Sequence, residues 1–248
     1  GAEYRHAFIQ SNVLGHDMNE LIEVPFEEFG IYTKEADRYN VNIYAEHVYT
    51  RKRFVIAGGI SGNYNSDYYW HVNGGADISF AITKHLKLFT SANKASRLPT
   101  FTDLYYEGPT NIGNEDLMPE EALTYETGLK YNKKGLQLNM TGFRRDGKNT
   151  IDWVRLADTL QWQPQNITEL TTYGFEITGL YKFTTESFIK RISIAYAYLQ
   201  TDKLPSDFDS RYALDYLKHK AVLSLHHKII GNITAHWQVR FEDRNEQY

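Results

Sequence analysis

Hydrophobic and polar residues alternate along most of this chain with a period of two. In "ADISFAIT", Ala76, Ile78, Phe80 and Ile82 share one face, while Asp77, Ser79 and Thr83 share the other. "LTYETGLKY" sets Leu123, Tyr125, Leu129 and Tyr131 against Thr124, Glu126, Gly128 and Lys130. "YGFEITGLYKF" (173–183) and "ITAHWQVRFE" (233–242) repeat the pattern. Successive side chains of a strand point to opposite faces, so this period predicts β-strands with one apolar face. Weaker versions occupy Tyr4–Leu14, Val41–Tyr49, Phe54–Ser61, Leu86–Asn93, Leu136–Gly142, Ile192–Leu199 and Lys220–His227, which makes about eleven strands. No amphipathic helix of useful length competes. One helical signal stands out, "DLMPEEAL", where Pro119 suits a first helical position and Glu120 and Glu121 meet the helix dipole. It predicts a turn or two inside a loop.

The connections alternate in length. Short polar ones ("TRKR" 50–53, "TKHLK" 83–87, "YNKKG" 131–135, "TTESFIKR" 184–191, "HKIIGN" 227–232) separate longer ones at Gly15–Arg38, Asn63–Trp70, Ser96–Glu121, Arg145–Leu170 and Thr201–Lys218. An up-and-down sheet has two rims, so one rim carries tight turns and the other large loops. Transmembrane barrels have that asymmetry. A soluble β-sandwich shares the period of two. Its strands typically run about 5–6 residues, whereas those here approach the roughly 9–11 of a membrane-crossing strand. Tyrosine and phenylalanine also gather near strand ends (Tyr44, Tyr49, Phe89, Tyr125, Tyr131, Tyr173, Phe183, Tyr196, Tyr198), where interfacial girdles belong. The pattern therefore predicts an all-β fold: an antiparallel up-and-down transmembrane β-barrel, present as a partial barrel of about eleven strands.

Composition narrows the chemistry. Of 248 residues, 42% are hydrophobic and 23% charged, the range of a folded protein. Cysteine is absent, which excludes disulfides, thiolate metal sites and cysteine nucleophiles. A net charge of −4 argues against a nucleic-acid partner. Apolar runs such as "FVIAGGI" (54–60) are far shorter than the roughly 18 residues of a membrane helix. No signal-peptide pattern is visible at the first residues. The mean hydropathy of −0.53 does not oppose a barrel, because only alternate side chains of its strands meet lipid.

The stretch from Ser96 to Tyr131, "SRLPTFTDLYYEGPTNIGNEDLMPEEALTYETGLKY", joins two strands through far more residues than a hairpin needs. It resembles the barrel of TonB-dependent outer-membrane receptors. The matching residues are Ser96, Arg97, Pro99, Thr100, Phe101, Asp103, Leu104 and Tyr105, then Gly113, Asn114, Leu117, Pro119 and Glu120, then Tyr125, Glu126, Gly128, Leu129 and Tyr131. Leu98 and Met118 depart from the usual pattern. "NTIDWV" (149–154) and "NITELTTYGFEITGLYKF" (166–183) look like the family's next hairpin. The resemblance implies that Ser96–Glu121 is an extracellular loop leading to a strand that re-enters the membrane. Its motif residues are read as architectural, with Arg97 able to pair with Glu120 or Glu126. Tyr105 and Tyr106 are the better candidates to face a ligand, with Asn111, Trp153 and Trp162 as further loop contacts; the two tryptophans are equally readable as packing the loop or marking the interface belt.

The family's barrels have about 22 strands around a plug. Residues 1–248 are therefore expected to be part of the barrel domain of a receptor whose plug domain and last strands lie outside them. An open half-barrel has two unpaired edges and an exposed apolar face, so self-association or detergent is expected to cover both. The implied function is ligand-gated uptake of a scarce, bulky nutrient, cobalamin-like or an iron-siderophore or haem, across the outer membrane of a Gram-negative bacterium. Partners are outer-membrane lipid, the nutrient, and TonB acting through the plug. No enzyme activity and no cofactor is implied. A barrel lipase or protease would need a nucleophile and base. No G-x-S-x-G elbow occurs, and Ser224 beside His226 stands without support. An uncoupled porin leaves the Ser96–Tyr131 motif unexplained. Asp202, Asp207 and Asp209 offer oxygen ligands for calcium but lack EF-hand spacing, so a solvated polar loop is the favoured reading.

Overall fold

The computed structural model describes residues 1–156, 160–184, 186–202, 208–211 and 216–244. One antiparallel sheet contains β1 (Ala2–Ser11), β2 (His16–Glu23), β3 (Ile31–Arg51), β4 (Phe54–Asn65), β5 (Tyr69–Ala81), β6 (Leu86–Arg97), β7 (Glu120–Lys133), β8 (Leu136–Leu156), β9 (Gln163–Lys182), β10 (Ile189–Thr201), β11 (Phe208–Ser210), β12 (Leu217–Ile230) and β13 (Ile233–Arg244). Its main path, β1-β3-β4-β5-β6-β7-β8-β9-β10-β12-β13, has eleven strands, as the alternation predicts. The short β2 and β11 lie off it, against β3 and β8. The path does not close: β1 and β13 are its two ends.

Register keeps every apolar set on one face. A single row runs Phe54–Phe80–Leu88–Leu129–Met140–Ile177–Tyr196–Ala221–Phe241 across nine neighbouring strands. A slip of one residue at any strand would turn its whole set to the other face. The face is uncovered, with Trp237 63% and Val239 67% exposed. The opposite face is polar, with rows such as Asn42–Asn63–His71 and Lys130–Asn139–Thr178. On the apolar face the band ends at Leu123 and Tyr173, where the Lys94–Glu121 (3.0 Å) and Arg144–Asp146 (2.9 Å) pairs take over.

The short turns follow local chemistry. Between β7 and β8, Lys134 (φ 45°) and Gly135 (φ 83°) form a two-residue turn with both centres left-handed, the twist a hairpin requires. A Cβ on Gly135 would also lie 2.5 Å from the Lys182 carbonyl oxygen.

At the other rim three expected loops turn out differently. Most of Arg145–Leu170 is ladder, with β8 and β9 paired from Arg145–Thr172 out to Val154–Gln163. Gly15–Arg38 contains β2 and the first third of β3. Asn63–Trp70 shrinks to a turn over 66–68, because Asn65 Oδ1 accepts from the Asp67 and Tyr68 amides (2.9 and 3.1 Å) and closes it locally. The helix expected at Pro119 does not form. Glu120 instead begins β7 opposite Arg97, since one isolated helical turn cannot outweigh a full strand ladder. The only helix among the described residues is α1 (Phe101–Tyr105). Its signal is the capping box Thr100-x-x-Asp103.

Candidate functional site at the long-loop rim

The sheet is one layer, so it has no interior of its own. The buried apolar cluster lies at the rim, where Leu104 of α1, Leu117 of the following loop and Ile151 of β8 meet, with Tyr105 packed against them. Pro99 and Pro164 are fully buried beside it. Local sequence builds this assembly. Pro99 ends β6, and Thr100 caps α1 by accepting from the Asp103 amide (3.1 Å). Asp103 returns the bond, accepting from the Thr100 amide (3.0 Å) and hydroxyl (2.7 Å). Its second oxygen accepts from the Trp153 indole on β8 (3.2 Å), and Arg97 lies 3.7 Å away. One buried carboxylate thus joins the end of β6, the helix cap and the long hairpin.

The remaining motif residues tie the loop down. Gly113 packs on the Leu104 carbonyl and donates to Tyr106 O (2.6 Å). Asn114 donates to Pro164 O (3.0 Å), and Asn166 Oδ1 accepts from the Met118 amide (2.8 Å). Arg97 takes Glu120 through two bonds (2.8 and 3.2 Å), while Glu126 pairs across the ladder with Ser91 and Phe143. Phe101 stacks on Tyr105 (6.2 Å) under the Arg38 guanidinium (4.6 Å). Toward β1, the Glu107 amide donates to Val13 O (2.9 Å), and Lys34 bridges Asp17 (3.3 Å) and Glu107 (3.0 Å).

Among the proposed ligand contacts, Tyr105 and Tyr106 are half-buried, and the Tyr105 ring meets His16 edge-on at 4.7 Å. Burial raises the Tyr105 hydroxyl pKa and pushes the nearby Tyr68 hydroxyl up to about 12. Asn111 bridges Trp162 through the backbone. The Trp162 ring lies under Arg155 (5.0 Å) and Arg211 (5.5 Å), and Trp153 is held by Asp103. Both tryptophans are therefore engaged in loop packing. Of the acidic candidates, Asp209 accepts from Arg155 (2.8 Å), Asp202 is exposed, and Asp207 lies outside the described residues. Among the described residues no group of three His, Asp or Glu side chains is placed to hold a metal.

Electrostatics at the rim gives a testable consequence. Burial alone would raise the Glu120 pKa, but the Arg97 bonds and the Ile151 amide (3.1 Å) outweigh it and lower the value. A depressed carboxylate stabilises fully above the ordinary glutamate range and loses its contribution as pH falls through the folded value. Arg97 is half-exposed, so screening limits the effect to about 1 kcal/mol. Glu120→Gln is expected to speed hydrogen exchange of the Ile151 amide several-fold at pH 7, with the difference from wild type vanishing under acid conditions. Equal exchange in both proteins at pH 7 would contradict this.

Below the rim, the polar face of β1, β3, β4 and β5 forms a recess of about 410 Å³ lined by Arg5, Arg38, Asn40, Asn42, Asn63 and His71, among others. Sequence reading missed it, because attention to the apolar phase of each strand passes over the polar one. The signal was present as the asparagine-rich alternation "RYNVN" and "SGNYN".

The chain matches the family described as "TonB dependent receptor-like, beta-barrel" over residues 1–248. It is 27% identical over 153 residues to the vitamin B12 transporter BtuB of Photobacterium profundum, a match covering 60% of this chain and 25% of that protein. A mutant of the ferric enterobactin receptor PfeA of Pseudomonas aeruginosa superposes with a TM-score of 0.69 at 14% identity, covering 97% of this chain and 38% of the receptor. The copper transporter OprC gives 0.67 at 17% identity, covering 84% and 36%. The chain thus spans a quarter to two-fifths of the proteins it resembles. The open eleven-strand sheet, its two-faced strands and the rim built from the Ser96–Tyr131 motif are accounted for together: the chain belongs to the TonB-dependent receptor β-barrel family.

Proposed function

We propose that this chain supplies barrel wall and extracellular loops to a receptor that takes up a scarce, bulky nutrient across the outer membrane of a Gram-negative bacterium, energised by TonB through a plug domain. The observation that carries the reading is the division of one sheet into an apolar face, a polar face and a packed rim. In a barrel these become the lipid surface, the lumen wall and the ligand-facing mouth. Tyr105, Tyr106 and Asn111 are the proposed loop contacts, with Trp153 and Trp162 holding the surface that presents them. The similarity to transporters of vitamin B12, ferric enterobactin and copper supports uptake and leaves the nutrient open. A catalytic reading gains nothing: Ser224 and His226 share a face of β12, yet no hydrogen bond joins them. By itself the chain would self-associate or take up detergent through its open edges and apolar face.

These 248 residues contain no cysteine, so a single cysteine introduced among them, in a receptor with any cysteine elsewhere replaced, makes topology measurable. In intact cells carrying the complete receptor, a cysteine at Thr110 is expected to react with a membrane-impermeant maleimide, and one at Lys84 to react only after lysis. Vitamin B12 and ferric enterobactin are then offered to cells with and without TonB. Accumulation of one of them that needs TonB supports coupled uptake. Labelling at Lys84 in intact cells, or flux indifferent to TonB, would overturn the reading.

A further inference from the structure

The recess on the polar face is unusual in what it offers. Its lining contains three arginines, four asparagines, two serines, a histidine and a leucine, and no carboxylate. Glu3 enters only the small adjoining lobe of about 140 Å³. Arg97 is committed to Glu120, and Arg38 donates to Pro99 O (2.7 Å) beneath its contact with Phe101. Arg5 has no partner among the described residues, and neither do the side chains of Asn42 and Asn63.

Asn40 is the most informative member. It is 7% exposed, and its Nδ2 has no hydrogen-bond partner. The amide cannot turn over to escape this. Asn40 Oδ1 accepts from Asn65 Nδ2 (2.8 Å), while Asn65 Oδ1 is held by the Asp67 and Tyr68 amides. The β4–β5 turn therefore fixes Asn65, Asn65 fixes Asn40, and Asn40 presents N–H where an acceptor is needed. His71, opposite Asn63 in the ladder, also has an unpartnered buried Nε2. Leaving such groups unsatisfied is costly, and surrounding them with cationic and amide donors selects for a negatively charged oxygen.

We propose that this recess binds an oxyanion, a carboxylate- or phosphate-bearing group, through Arg5, Asn40, Asn63 and His71. The oxyanion belongs either to the transported nutrient or to an acidic side chain of the receptor beyond these residues. The nutrient arm rests on the polar face lining the transport lumen and makes the nutrient anionic. The binding chemistry itself does not depend on transport.

The test uses the complete receptor in detergent, titrated calorimetrically with citrate and with inorganic pyrophosphate. If the group is a solute's, at least one probe binds the wild type, binding weakens with salt, and Arg5→Gln and Asn40→Leu each reduce affinity roughly tenfold or more. Arg5 is exposed, so Arg5→Gln leaves the fold intact even if Asn40→Leu disturbs the turn. If the group is the receptor's own carboxylate, neither probe binds, and Arg5→Glu lowers the melting temperature by several degrees because two carboxylates then face each other. Probe binding unaffected by Arg5→Gln would overturn the proposal. So would the absence of probe binding together with an unchanged melting temperature in Arg5→Glu. Cells that accumulate no nutrient while citrate still binds would sink the uptake reading and leave the recess standing.

Discussion

Replacing Asp103 with leucine is expected to unfasten the rim, at a cost of about 3–5 kcal/mol to the local assembly. Leucine keeps the branched shape of the carboxylate and removes both acceptors, and its greater bulk adds a repacking cost to the polar loss. The Thr100 amide and hydroxyl and the Trp153 indole lose their acceptor together, so the capping box of α1 loses its return half while the Thr100 cap itself stays. A missing acceptor leaves each buried donor about 1–3 kcal/mol worse off. Thr100→Ala removes the cap alone and is expected to cost only about 1 kcal/mol. The measurement is hydrogen exchange over 99–119 and 149–167 in the complete receptor, beside Trp153 fluorescence. In Asp103→Leu both segments exchange orders of magnitude faster while β9–β10 amides keep their protection. Protection lost in one segment only would mean that Asp103 does not couple them.

Gly113→Ala is expected to do comparable damage by a steric route, about 2–4 kcal/mol. A Cβ there would lie 2.4 Å from the Leu104 carbonyl oxygen and 2.6 Å from its carbon. Both are backbone atoms of a segment already held by the buried Leu104 side chain, so no rotamer change relieves the clash. Either α1 moves or the 106–119 loop lifts, and Leu117 leaves the cluster with it. Gly174→Ala makes a useful comparison. Its Cβ meets the Phe143 ring at 2.1 Å, and a ring can swing aside more cheaply than backbone. Gly142→Ala has nothing within 4 Å and should leave stability unchanged. Thermal unfolding monitored at the rim is expected to rank the three 113, then 174, then 142. Equal midpoints for Gly113→Ala and Gly142→Ala would show that the loop is looser than its contacts imply.

These two positions also show what could be read in advance. Gly113 and Asp103 stand out in the Ser96–Tyr131 motif, yet their partners lie elsewhere: Leu104 nine residues back, and Trp153 fifty residues on. The same holds for Trp162, readable as an aromatic in a loop but not as a ring under Arg155 and Arg211. The capping box Thr100-x-x-Asp103 is a local helix signal in the sequence, as Pro119 is, and only the former is followed by a helix. At Pro119 the local helix preference was real, but pairing of Glu120 with Arg97 across β6 and β7 overrode it.

The period of two in "ADISFAIT" or "ITAHWQVRFE" determined the strands, their two faces and the eleven-strand path, because a pleat places alternate side chains on opposite sides whatever lies beyond. The sequence by itself also determined which rim carries tight turns, since "YNKKG" can close a left-handed hairpin locally. Only the tertiary structure decided how far β8 and β9 run past the apolar band, and that the buried cluster sits at the rim rather than within the sheet. It alone joined Arg5, Asn40 and His71 into one recess. These outcomes depend on contacts between residues tens of positions apart, whose energies appear only once the ladder has set the register.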